Sequence, residues 1–267
     1  MILAGASPVT LALSLGSAAA YALLASGWIG NRTPLARTGA TLALILHALV
    51  IGWGLWGAVP KFGFAPALSV TAWLVGAVYR AESWIYPQIT TPKFVHAAGV
   101  IVVLLALLFP GATPHPALSP MMPLHWALGI ASYGLFAVAV VHAIVLGRAE
   151  DRIRHAADPQ GGLPLLTLER MVFRLVGLGF ALLTLTLVAG AYFAHLATGP
   201  QSAVRLDHKT IFSVLSWLTF AGLLIGRWRY GWRGRPAVRV LYTGAVLLLL
   251  SYAGSRFVME VILGRAA

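Results

Sequence analysis

Eight apolar runs divide this chain of 267 residues, and each is almost free of charged side chains. Runs of about 20 apolar residues match helices that cross the ~30 Å hydrocarbon core of a bilayer. The runs fall at 8–29, 38–58, 66–86, 94–110, 123–147, 174–197, 208–226 and 239–262. The sequence therefore predicts an all-α fold, a polytopic transmembrane helix bundle forming a single transmembrane domain over 1–267.

Composition excludes the other broad classes of protein. Apolar residues make up 59% of the chain and charged residues 10%, whereas soluble domains carry about 25% charged residues. The chain has too few polar residues to cover the surface of a soluble globular protein, and its apolar content is too high for a disordered chain. The net charge of +12 indicates basic cytoplasmic loops rather than nucleic-acid binding.

The distribution of Lys and Arg predicts the orientation of the helices. Of 19 such residues, five fall on one side of the eight crossings, and the other 14 fall on the opposite side. The five are Lys61, Arg205, Lys209, Arg256 and Arg265. Since cytoplasmic loops collect Lys and Arg, we expect both termini to be periplasmic.

Three histidines are predicted to lie at one depth near the outer surface. His125 begins the fifth helix, His195 ends the sixth and His208 begins the seventh. Ionisable side chains within membrane helices are candidates for function. Neutral imidazoles bind metals, and the absence of cysteine favours haem b with axial ligands His125 and His195 over a thiolate site.

Other assignments of the histidines remain open. Histidines at helix ends can simply be interfacial, and His208 is an alternative axial ligand to His195. His47 lies in the middle of the second helix, where it would ligate a second haem with His142 or His96, or bond a backbone carbonyl. A zinc site is a weaker alternative, because carboxylates are scarce on the outer side.

Cations near the outer histidines suit the propionates of haem. Lys209 and Arg256 lie at this level, and Asp207 is predicted to be the N-cap of the seventh helix, whose positive dipole end points outward. Alternatively, Arg256 pairs with Glu260 at the i,i+4 spacing. The sequence contains no phosphate loop, zinc-protease motif or nucleophile elbow, so hydrolytic chemistry is not expected.

Several short motifs occur together in this chain. They are Leu124-His125, Ser132-Tyr133-Gly134-Leu135, Leu163–Arg170 with Phe173-Arg174 and Gly179-Phe180, Gly231–Arg235 and Tyr252–Phe257. Together they resemble the cytochrome c assembly family of the CcsA/HemX type, and its YpjD-like inner-membrane branch in particular. The likeness is strongest over 123–262. It implies a multi-pass protein of the bacterial inner membrane that handles haem, with assembly proteins or an apocytochrome as partners beside haem and lipid.

The tryptophan-rich loop by which the best-known branch presents haem is degenerate in this chain. The corresponding stretch reads Leu206-Asp207-His208-Lys209-Thr210, without the preceding tryptophans. His125 matches the family's first external histidine, whereas the second has no counterpart around Leu263. The resemblance therefore implies a protein that holds or passes one or two haems without attaching them, and so a carrier rather than an enzyme.

Two other functions fit the same sequence. A membrane redox protein would pass electrons from quinol through two haems, and it would need an inner pair of ligands beside the outer one. A haem-free accessory subunit would serve a membrane partner without a cofactor.

The orientation can be tested with a reporter fused to the C-terminus. Because the charge distribution places that end outside, an alkaline phosphatase fusion is expected to be active. The matched control is a fusion after residue 230, which is expected to be inactive. Activity of a cytoplasmic-only reporter at the C-terminus would mean that a crossing is miscounted, and residues 66–86 are the weakest of the eight.

Overall fold

The computed structural model describes residues 7–30, 33–56, 61–113, 122–155, 163–198 and 207–264, with backbone alone at 122 and 194–198. Eight α-helices account for most of these residues, which confirms the all-helical prediction. They are α1 (Pro8–Ser26), α2 (Pro34–Trp56), α3 (Phe64–Ile85), α4 (Lys93–Leu108), α5 (Met122–Arg154), α6 (Leu165–Thr198), α7 (His208–Tyr230) and α8 (Gly234–Leu249).

Among the described residues, seven helical segments are long and apolar enough to cross a membrane. The exception is α4, which has 16 residues and spans about 24 Å at 1.5 Å per residue. The last of the seven segments extends α8 to Ile262. That extension passes through π-helical turns at Leu250–Gly254 and Val258–Ile262, which flank the α-helical Ser255–Phe257.

The sixth helix begins earlier than the sequence predicts. The sequence places this crossing at 174–197, but residues 165–173 already form the first turns of α6, which has 34 residues. Leu168 and Val172 are buried, so the apolar face of these turns packs inside the protein. At about 51 Å, α6 is longer than the hydrocarbon core.

Backbone contacts divide the chain into two compact units, 1–115 with 256–267, and 116–255. In the first unit, α1 packs against α2 and α4, and α3 packs against the same two helices. Small residues let the helices approach closely, as is usual in membranes. A Cβ atom on Gly99 of α4, for example, would lie 3.1 Å from the ring of Tyr21 on α1.

The second unit repeats this cyclic order of neighbours. Helix α5 packs against α6 and α8, and α7 packs against the same two helices. At its centre the rings of Phe136 and Phe220 stack with centroids 3.7 Å apart. Phe136 lies against Gly179 and Phe220 against Gly244, where a Cβ atom would come within 3.2 and 2.7 Å of the rings.

An ionic cluster ties together the four helices of the second unit at the end where α5 and α7 finish. Arg227 Nη1 donates to Glu169 Oε1 at 2.6 Å, and Arg233 Nε lies 3.7 Å from the same oxygen. The Arg227 guanidinium also lies 4.5 Å from the Phe173 ring centroid. Arg235 pairs with Asp151 at 3.2 Å. The basic loops are therefore built into the fold.

Replacing Arg227 with Gln tests this cluster. Glu169 is only 12% exposed, so the loss of its main partner is expected to cost about 2 kcal/mol, between the values for exposed and buried pairs. That corresponds to an unfolding midpoint in detergent lowered by roughly 4–8 °C. The control is Arg229→Gln, whose side chain is exposed on the same helix. Equal midpoints for the two variants would contradict the assignment.

Candidate functional site

His125 lies in the first turn of α5 and packs against α6. A Cβ atom on Gly190 would lie 3.1 Å from His125 Cε1, so the glycine leaves space for the imidazole. The ring also meets Phe193 edge-on, with centroids 6.2 Å apart. Gly190 and Phe193 are three residues apart and form one face of α6, which supports one side of the His125 ring.

The Nδ1 atom of the His125 ring is buried and has no hydrogen-bond partner among the described residues. In metal sites, one imidazole nitrogen binds the metal while the other is usually held by a carbonyl or carboxylate. The unbonded Nδ1 makes His125 available as a ligand.

The other two outer histidines lie on the neighbouring helices of the same unit. His195 is in the last turn of α6, but its side chain lies outside the described residues, so its pairing with His125 stays a prediction. His208 is the first residue of α7, and its side chain is exposed. Helices α5 and α6 pack together, as do α6 and α7.

The start of α7 is capped as the sequence predicts. The Asp207 carboxylate accepts a hydrogen bond from the Thr210 backbone N–H at 2.8 Å. Burial raises the pKa of this carboxyl, but the hydrogen bonds from Thr210 and the charges of Lys209 and His208 outweigh it and lower the pKa below its usual value. Lys209 thus acts on Asp207, and its contact with a propionate stays a prediction.

Arg256 belongs to the first compact unit. Its Nη1 lies 3.6 Å from Glu260 Oε1, and the two side chains are 22% and 12% exposed. The i,i+4 pair expected from the sequence therefore forms. The predicted contact of Arg256 with a propionate remains untested.

His47 is fully buried in the first unit, and both of its ring nitrogens are engaged. Tyr21 Oη lies 3.1 Å from Nδ1, and Ser69 Oγ lies 2.8 Å from Nε2. To bind iron, His47 would have to give up one of these hydrogen bonds. Neither Tyr21 nor Ser69 stood out in the sequence, because hydroxyl groups are common in apolar helices.

The remaining described histidines differ in their surroundings. His96 is buried and lies beside the Tyr21 ring, with centroids 6.1 Å apart. His142 is buried on α5, with Nδ1 3.0 Å from the Val138 carbonyl of its own helix. Within the described part of the chain, no three His, Asp or Glu side chains are grouped closely enough to hold a metal ion. A haem iron would need only two axial imidazoles.

Comparison with known proteins identifies relatives over most of the chain. Inner membrane protein YpjD of Escherichia coli (strain K12) is 29% identical over 246 residues, which are 87% of this chain and 89% of that protein. An uncharacterized 28.8 kDa protein of Azospirillum brasilense is 36% identical over 144 residues, 53% of this chain and 52% of the relative. No solved structure gives a significant match.

A shorter likeness connects the chain to a named assembly protein. Cytochrome c biogenesis protein CcsA of Gloeobacter violaceus is 36% identical over 94 residues, 35% of this chain and 27% of that protein. The inner-membrane relatives and the seven apolar helices together place this chain in the inner membrane as a multi-pass protein. The family model described as Cytochrome C assembly protein matches residues 35–263. The chain therefore belongs to the cytochrome c assembly protein family.

Proposed function

We propose that this protein binds haem b in the membrane and holds or passes it during cytochrome c assembly. The observation that carries the proposal is the His125 imidazole, whose buried Nδ1 has no partner among the described residues. An unsatisfied buried polar atom in a folded protein calls for an explanation, and a ligand that is absent from the structure is one. Membership of the cytochrome c assembly family favours haem as this ligand.

His125 and His195 would hold the iron as axial ligands, with His208 as the alternative to His195. When bound, haem supplies a redox-active iron and two propionates. The chain itself has no cysteine, so it cannot hold haem covalently through a thioether. Lys209 and His208 are the proposed contacts for the propionates. Each imidazole must be neutral to bind iron, so acidification is expected to weaken binding.

The residues at the start of α7 support a role in holding haem rather than in attaching it to an apocytochrome. The stretch 206–210 corresponds to the loop that presents haem in the best-known branch, and it lacks the tryptophans of that loop. Its Asp207 is engaged as the N-cap of α7. Accordingly, we propose a carrier that exchanges haem with assembly proteins or an apocytochrome and does not form the thioether bond.

Haem content per protein tests the role of His125. His125→Ala is expected to lose at least about half of the haem and the low-spin spectrum, because one axial ligand is removed. The control is His155→Ala, since His155 is exposed just after α5 and its Nδ1 is bonded to the Asp151 carbonyl in the last turn of that helix. The measurement is an absorption spectrum with haem quantitation of the purified protein.

The possible results of this measurement separate the functions. If His125→Ala keeps all its haem and an unchanged spectrum, the outer site is wrong, and His47 with an inner histidine becomes the better candidate. Two haems per wild-type protein would favour the quinol redox protein. A wild-type protein that stays colourless after incubation with haem would favour the haem-free accessory subunit.

A substitution at Gly190 tests the site without removing a donor. A leucine side chain here would occupy the space of the His125 ring, so Gly190→Leu is expected to lower haem content by about as much as His125→Ala. Gly177→Leu is the matched control on α6, because no atom lies within 4 Å of its Cβ position. Full haem in Gly190→Leu would show that the packing of His125 against α6 is irrelevant to binding.

A further inference from the structure

A small polar cavity lies inside the first compact unit. Its polar lining consists of Tyr21, Arg80, Thr91 and His96, and Gly76 and Gly99 form part of its wall. The cavity measures about 10 Å³, close to the roughly 10–15 Å³ that one water molecule needs. It is too small for a cofactor or an organic substrate.

One wall of the cavity carries a polar atom with no described partner. His96 is 7% exposed, and its Nδ1 has no hydrogen-bond partner among the described residues. Arg80 is already held, since its Nε donates to Thr41 Oγ1 at 2.8 Å and its Nη1 donates to Ser83 Oγ at 3.1 Å. Because buried polar atoms in folded proteins are almost always bonded to protein or water, a water molecule is the occupant that fits.

Behind the cavity runs a chain of hydrogen bonds between buried side chains. The Tyr21 ring lies beside both imidazoles, with centroids 6.1 Å from His96 and 5.6 Å from His47. Tyr21 Oη is bonded to His47 Nδ1, and His47 Nε2 is bonded to Ser69 Oγ. Each of these hydroxyl groups can both donate and accept a hydrogen bond, so the chain can carry a proton to His47.

We propose that the cavity binds one water molecule, which hydrogen-bonds to His96 and, through Tyr21, gives the buried His47 its route for protons. A hydrated proton reaches the water, Tyr21 takes a proton from it and passes its own hydroxyl proton to His47 Nδ1. The tyrosine stays neutral and the imidazole gains one proton. The proton leaves by the reverse of these steps, so no second exit is required.

Hydrogen–deuterium exchange at the Cε1 position of each histidine, measured by mass spectrometry on the full chain in detergent, tests the proposal. His96 and His47 are expected to exchange measurably faster than His142, which is buried and bonded to its own helix. His155 is the exposed reference. If His47 in the wild-type protein exchanges as slowly as His142, the route does not exist.

Two variants separate the water site from the route through Tyr21. Ala72 lines the cavity, so Ala72→Leu is expected to fill it and slow exchange at both His96 and His47 by about fivefold or more. Ala77→Leu is the matched control on α3, outside the cavity lining. Tyr21→Phe keeps the cavity but removes the hydroxyl, so only His47 is expected to slow.

The Tyr21→Phe variant tests the proposed proton route even if Ala72→Leu fails to fold. Slowed exchange at His47 with unchanged exchange at His96 supports the proposal, and unchanged exchange at His47 overturns it. Unchanged exchange at both histidines in a folded Ala72→Leu protein also overturns it. These readouts are taken at His47 and His96 and none involves His125, so failure here and failure of the proposed haem site at His125 can be told apart.

Discussion

Hydrocarbon offers no hydrogen-bond partner to a peptide group, so each crossing of the bilayer must satisfy its own backbone within a helix. This constraint accounts for the eight helices and for the large apolar side chains exposed along them. It also changes what holds the helices together. Since lipid is as apolar as leucine, the helix packing is stabilised instead by close approach at small residues and by hydrogen bonds between helices. Gly99 against Tyr21, and Gly179 against Phe136, are such contacts.

The same constraint means that each polar side chain inside the helices needs a hydrogen-bond partner within the protein. Glu169 is satisfied by Arg227 and Arg233, and His47 is satisfied by Tyr21 and Ser69. His125 and His96 each keep a buried Nδ1 without a described partner. Because such an atom costs free energy unless something binds it, these two imidazoles carry the proposals for haem and for water.

The motifs that connect the chain to its family have structural roles in the second unit. Ser132 Oγ donates to the Gly179 carbonyl at 3.2 Å, Glu169 receives Arg227, and the Trp232 ring packs against Gly226. The first two contacts join neighbouring helices, and the third packs the connection between α7 and α8 onto α7, so the shared motifs preserve the packing of the fold. Among these motifs Leu124-His125 differs, because His125 packs against Gly190 and keeps a buried Nδ1 without a described partner.

The sequence by itself determined the class of fold, the number of helices and the membrane location, because the length of an apolar run and the bilayer thickness leave one solution. It also identified the Asp207 cap and the Arg256–Glu260 pair, since both are local along one helix. Only the tertiary structure showed that Gly190 makes room for His125, that Tyr21 and Ser69 engage His47, and that Glu169 binds Arg227. These partners lie 22 to 65 residues apart in the chain. Contacts between helices depend on how each helix is rotated about its axis and packed against its neighbours, and the pattern of apolar residues does not specify this.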